Sequence, residues 1–134
     1  AVALSPTRRH ISTPFRIYER NIRTDEVVAF VKQLRRHCRR PMIICWDRWP
    51  VHRSAAKRLA VSRLKNIKIE WLPAYAPELN PVEPRWCHTK HGDLANFVPD
   101  DTSHLKRNVC SSLKKQHTDN QLKLSFFESA QLKL

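Results

Sequence analysis

The chain has 134 residues, 41% of them apolar and 28% charged, which suits one domain with a modest core. Lys and Arg number 25 against 12 acidic residues, and the net charge of +13 points to a polyanionic partner, nucleic acid first and an anionic membrane second. No apolar run is long enough to span a bilayer, no signal-peptide pattern opens the chain, and the single glycine, Gly92, excludes a Gly-rich phosphate loop; a soluble, cytoplasmic protein is expected.

In chain order, Ala1 to Ser5 and Ile11 to Arg20 read as two extended segments of a hairpin, with Pro14 weakening the second. Thr24 is placed to cap a helix that carries Asp25 and Glu26 in its first turn and Val27, Phe30, Val31, Leu34 and Cys38 on one face. Arg35, Arg36, Arg39 and Arg40 crowd its C-terminal end, where phosphate contact and the helix dipole explain them equally well. Met42 to Trp46 is an uninterrupted apolar run that reads as a buried strand ending in Asp47. Arg53 to Leu64 comes next as a helix with Ala56, Leu59, Ala60 and Leu64 inward, and Ile67, Ile69 and Trp71 alternate with Lys68 and Glu70 in a strand with one open face. A helix from Pro81 to about His91, another from Thr102 to His117 with Leu105, Val109 and Leu113 buried, and an amphipathic segment marked by Phe126, Phe127, Leu132 and Leu134 complete the chain.

Cys38, Cys45, Cys87 and Cys110 form no Cys-x-x-Cys pair and are expected to be reduced and largely buried. Cys87-His88-x-x-His91 offers zinc-ligand types, but neighbouring Cys87 and His88 point in different directions from one helix.

Two carboxylates stand out. Asp47 ends an apolar strand, the usual place for a site residue in α/β proteins. Glu83 comes directly after Leu72-Pro-Ala-Tyr-Ala-Pro-Glu-Leu-Asn-Pro-Val, whose prolines stiffen the chain, with Asn80 placed as N-cap, Pro81 as first helical residue and Glu83 as third. The plainer reading of Asn-Pro-x-Glu is a capping box in which Glu83 reaches back to Asn80. The helix and strand between Asp47 and Glu83 form a parallel crossover that would bring the chain back beside Asp47, so the two could share one site.

The motif Leu-Pro-x-Tyr-x-Pro-Glu-Leu-Asn-Pro-x-Glu over 72–83, with Trp86 and Lys90 after it and Asp47 and His52 before it, resembles the DDE-type transposases of bacterial insertion sequences. These are mariner-like relatives with a ribonuclease-H-like catalytic domain, and the resemblance extends from near the N-terminus to about Lys115. It implies an α/β fold, a ribonuclease-H-like mixed sheet flanked by helices, here lacking the first, central strand. Residues 1–117 would be a partial catalytic domain and 118–134 a C-terminal amphipathic segment. The implied activity is cleavage at element ends and transfer to target DNA, on two Mg2+ (or Mn2+) ions roughly 3.5–4 Å apart.

By the same resemblance Asp47 and Glu83 are catalytic metal ligands, His52 and Asn80 support them, and Arg48, Arg85 and Lys90 stand near DNA. Each also has a plain reading: a helix-start histidine, an N-cap, solvated surface charges. Trp46, Trp49 and Trp86 offer faces to an extruded base or simply pack. The family's first Asp comes from its first strand, and no Asp precedes Asp25, so the metal site is expected to be complete only in a longer protein that works as a dimer or higher assembly on DNA of the bacterial nucleoid. The alternative is a non-catalytic, basic nucleic-acid-binding remnant.

Overall fold

The computed structural model describes residues 3–5, 10–38, 40–62 and 64–131. The chain divides into two compact units, one of residues 18–76 and one of residues 1–17 with 77–134.

The unit of residues 18–76 is a βαβ crossover preceded by a helix. Helix α1 spans Thr24–His37, strand β3 Met42–Trp46, helix α2 Pro50–Ala60 and strand β4 Ile67–Trp71. The strands pair in parallel, Met42 opposite Ile67 through Trp46 opposite Trp71, a pairing that needs a crossover such as α2 to return the chain. Val28, Val31, Ala55 and Leu59 are the buried centre, with Val27, Ile44, Trp46, Leu64, Ile67 and Ile69 packed against them. Burial of one such Val or Leu contributes about 1.5–3 kcal/mol. Asn66, at φ 64°, makes the turn into β4; a left-handed backbone suits Asn better than most residues.

Three expectations for this unit are corrected. Alternation, not continuous burial, governs β3: Met42, Ile44 and Trp46 face the helices, whereas Cys45 is exposed and Ile43 is 67% exposed. A two-stranded ladder with helices on one side leaves its other face open. Helix α1 buries Val28 rather than Phe30, and its cap is Arg23 rather than Thr24: the buried Glu26 carboxylate accepts from Arg23 N–H at 2.9 Å and from Arg20 at 2.6 Å. Helix α2 begins at Pro50, three residues earlier than expected, because proline is suited to a first helical position whose N–H has no partner anyway; it buries Ala55 where Ala56 was expected and leaves Ala60 exposed. Arg39, placed at the basic end of α1, and Arg63 lie outside the described residues.

The other unit carries a short antiparallel pair, β1 Ala3–Ser5 with β2 His10–Ser12, and three helices: α3 Val82–His88, α4 Thr102–Thr118 and α5 Asn120–Ser129. The second extended segment ends at Ser12 rather than Arg20, since Thr13 turns inward to His117, 3.0 Å from Oγ1 to Nδ1, and Pro14 has no N–H to offer a ladder. The two ladders are separate sheets, where one mixed sheet was expected. Ile11, Leu113, Phe126, Phe127 and Ala130 are buried, but so are Arg85, Thr89, Ser112, Gln116 and Lys123. Hydrogen bonds engage each of these side chains. Gln116 accepts from Arg85 Nε at 3.0 Å and donates to Thr89 Oγ1 at 2.7 Å, Ser112 donates to Asp93 at 2.6 Å, and Lys123 Nζ donates to the His117 carbonyl at 2.9 Å. On α4, Leu113 is buried as expected but Leu105 is 39% exposed. Helices α4 and α5 are capped in turn by Asp101 and Asp119, each accepting from the backbone N–H three residues on. Segment 118–134 thus holds α5, with Phe126 and Phe127 inward; Leu132 and Leu134 lie outside the described residues.

Candidate active site

Asp47 leaves the end of β3 and is held by two residues of the next turn, Trp49 and His52. Its Oδ1 accepts the backbone N–H of Trp49 at 3.0 Å, closing an Asx turn, and lies 2.6 Å from Nδ1 of His52. Because Pro50 starts α2, His52 falls on the third helical residue, within reach of the carboxylate. The imidazole is clamped: it stacks on Trp46 at 4.9 Å and 5° and meets the edge of Trp49 at 5.2 Å and 89°. Trp46 in turn leans on Trp71, its register partner in β4. The carboxylate is about half exposed, at 52%, whereas the histidine side chain is only 21% exposed. The arrangement fixes one carboxylate oxygen and turns the group toward solvent, which suits an oxygen donor for a hard cation.

An ionised carboxylate only accepts, so the His52–Asp47 bond puts a proton on Nδ1 and leaves Nε2 as the ring's other chemically active atom. The sequence marks Trp49 only as an aromatic; its backbone N–H is the part that meets Asp47. The signal is Asp-x-Trp-Pro, an Asx turn running into a helix that begins with proline.

The second carboxylate sits in the motif loop. After β4 the chain passes through Tyr75, fully exposed and in the left-handed region at φ 57°, a conformation that costs a bulky residue about 1 kcal/mol or more. A single 3-10 turn, Pro77–Leu79, then delivers α3. Asn80 Oδ1 accepts from Val82 N–H at 3.2 Å, so Asn80 does cap the helix through its side chain, although Pro81 is the residue at the boundary and Glu83 the second of α3. Asn80's own N–H donates to the Pro77 carbonyl at 2.9 Å. That bond removes the orphan donor a capping box needs. The exposed Glu83 carboxylate is therefore not employed in capping.

Of the basic residues expected near DNA, Arg48 and Lys90 are exposed, Lys90 in a π-helical turn at Thr89–Asp93 that extends α3. Arg85 is turned inward instead. It is 3% exposed, bonded to Gln116 and set 5.9 Å from the Phe15 ring centroid, and burial pushes its pKa down. In this structure the guanidinium is thus engaged in packing, unlike the exposed Arg48 and Lys90. Trp86 is 43% exposed. All four cysteines are free thiols, but Cys45 and Cys87 are exposed, against the expectation of burial, because each falls on an outward position of its strand or helix. Among the described residues no three His, Cys, Asp or Glu side chains gather as a metal-binding group, and no helix is long and apolar enough to cross a membrane.

Comparison with curated proteins and with solved structures returns no significant match to either. A family model does match, the DDE superfamily endonuclease, over residues 2–106, a span that holds Asp47, the motif loop and Glu83. The match covers well over half the chain, and the protein belongs to the DDE endonuclease superfamily.

Proposed function

We propose that the chain supplies part of the catalytic core of a DNA transposase of the mariner-like, insertion-sequence kind, with Asp47 and Glu83 as metal-binding carboxylates. The observation that carries this reading is the held state of Asp47 at a strand end, one oxygen fixed by Trp49 N–H and His52 and the group open to solvent. Carboxylate oxygens are the donors that Mg2+ or Mn2+ takes, and Asp47 and Glu83 are of that type, exposed and committed to no helix cap. Bound divalent ions would supply charge stabilisation at the entering and leaving oxygens of a phosphodiester. Asp47 and Glu83 would hold them, His52 would keep the Asp47 carboxylate from rotating, and Asn80 would fix the helix start that presents Glu83. Arg48 and Lys90 would steady the DNA backbone. Two carboxylates are few oxygen donors for such ions, so the chain alone holds them weakly.

The net charge of +13 also supports a second reading, a basic nucleic-acid-binding module without chemistry. The coding DNA upstream separates the two. Codons for an apolar strand ending in Asp, in frame or one base out of it, are expected for the enzyme; a polypeptide extended through that Asp then nicks supercoiled plasmid in Mg2+ and loses the activity with Asp47→Asn or Glu83→Gln. Nicking that survives both substitutions overturns the assignment of these carboxylates.

A further inference from the structure

We propose that the outer face of α4 is a DNA-backbone-binding surface, an assignment that rests on the reading of DNA as substrate and adds cationic contacts at Arg107, Lys114 and Lys115, beyond the family match, which ends at residue 106. Helix α4 contains Lys106, Arg107, Lys114 and Lys115 and not one acidic residue. Its inward side is set by Ser112, Leu113 and Gln116. At 100° per residue, Ser103, Arg107, Ser111 and Lys114 fall within a stripe about 80° wide on the opposite side, and all four are exposed. Lys115, also exposed, flanks it.

The stripe runs about 16 Å along the axis at 1.5 Å per residue, with steps of about 4.5–6 Å between hydrogen-bonding side chains. Hydroxyls alternating with cations are the side chains that proteins aim at phosphate and sugar oxygens.

The plain alternative is a solvated helix face with cations drawn to the C-terminal end of the dipole. The dipole accounts for Lys115 but not for Arg107, which lies in the first two turns, and it favours acids in the first turn, where α4 has none. Several cations elsewhere in the chain are engaged in structure. On α1 and α2, Arg58 pairs with Asp25 and Arg35 donates to the carbonyls of Lys65 and Cys38, while Arg20 pairs with Glu26. Among the described residues no carboxylate pairs with Arg107, Lys114 or Lys115. A helix that carries unneutralised cations in one stripe attracts a polyanion, and release of counterions from DNA supplies the free energy.

The test uses the 134-residue chain and a short labelled duplex of arbitrary sequence, with binding followed by fluorescence anisotropy between about 50 and 200 mM salt. The triple variant Arg107→Gln, Lys114→Gln, Lys115→Gln should weaken binding about tenfold or more and reduce the slope of log K against log salt by about 2.7, at ~0.9 per phosphate contact. Circular dichroism should show its helix content unchanged, since all three positions are exposed. A control that removes the same charge from α1 and α2, Lys32→Gln, Arg36→Gln, Lys57→Gln, should lower the slope by less. Equal effects of the two triples, or an unchanged slope in the α4 variant, overturn the assignment while DNA remains the substrate; no binding by the unaltered chain overturns both. If the α4 variant keeps DNA but loses vesicles of phosphatidylserine and phosphatidylcholine, the surface reads membranes and the proposal fails.

Discussion

At the residue scale, Asp47 and His52 depend on each other. The carboxylate oxygen that accepts from Trp49 N–H also faces His52 Nδ1 at 2.6 Å, and the two tryptophans leave the ring little room to turn. Neutral His52 should therefore be the Nδ1–H tautomer, which nitrogen-15 chemical shifts of the ring report directly. Finding the Nε2–H tautomer in the unaltered chain would show that the bond to Asp47 is not made. Glu26 is the second residue whose surroundings decide its chemistry. Its carboxylate takes the Arg23 backbone N–H, the larger influence, and the Arg20 guanidinium, which hold its pKa below the usual glutamate value. A carboxylate with a depressed folded-state pKa adds stability that is fully present above the unfolded value, about 4.3, and is lost as pH falls through the folded one. Acidification below about pH 4 should thus unfold the chain less steeply in Glu26→Gln than in the parent. Identical acid profiles would show that Glu26 has no such part.

At the scale of elements, α4 shows which of two similar leucines matters. Leu113 is 1% exposed and Leu105 39%, though both recur at helical spacing. Leu113→Ala should cost about 2–5 kcal/mol in denaturant unfolding. Leu105→Ala should cost well under 1 kcal/mol, in keeping with an exposed position. Equal losses would contradict the burial. The β3–α2–β4 crossover was legible in the sequence because apolar alternation and length leave few options, and β3 and β4 fall on the residues expected. Burial of individual side chains was less legible. Ile43 looks like core in sequence, but a two-stranded ladder covered on one face exposes it, and nothing in Met-Ile-Ile-Cys-Trp says how many faces will be covered. Pro50 is a helix-start signal that, once used, places His52 beside Asp47. Arg85 could not be foreseen as buried, because its partner Gln116 lies on another helix and polar side chains give no period that marks them as core.

At the scale of the whole molecule, charge and carboxylates pull in different directions. A net charge of +13 favours polyanions in general, whereas the proposed chemistry rests on a few acids among the 12 in the chain. Membership of the DDE endonuclease superfamily motivates the role proposed for those acids, and Asp47 is the one held in place, by Trp49 N–H and His52. The proposed function stands or falls on divalent metal at Asp47 and Glu83. Electron paramagnetic resonance of free Mn2+, titrated with the 134-residue chain, measures such binding without depending on turnover. Weak binding is expected, which Asp47→Asn and Glu83→Gln should each remove and His52→Ala should lower about 10-fold or more by releasing the carboxylate. Mn2+ binding that is indifferent to both carboxylate substitutions would contradict a metal role for either residue.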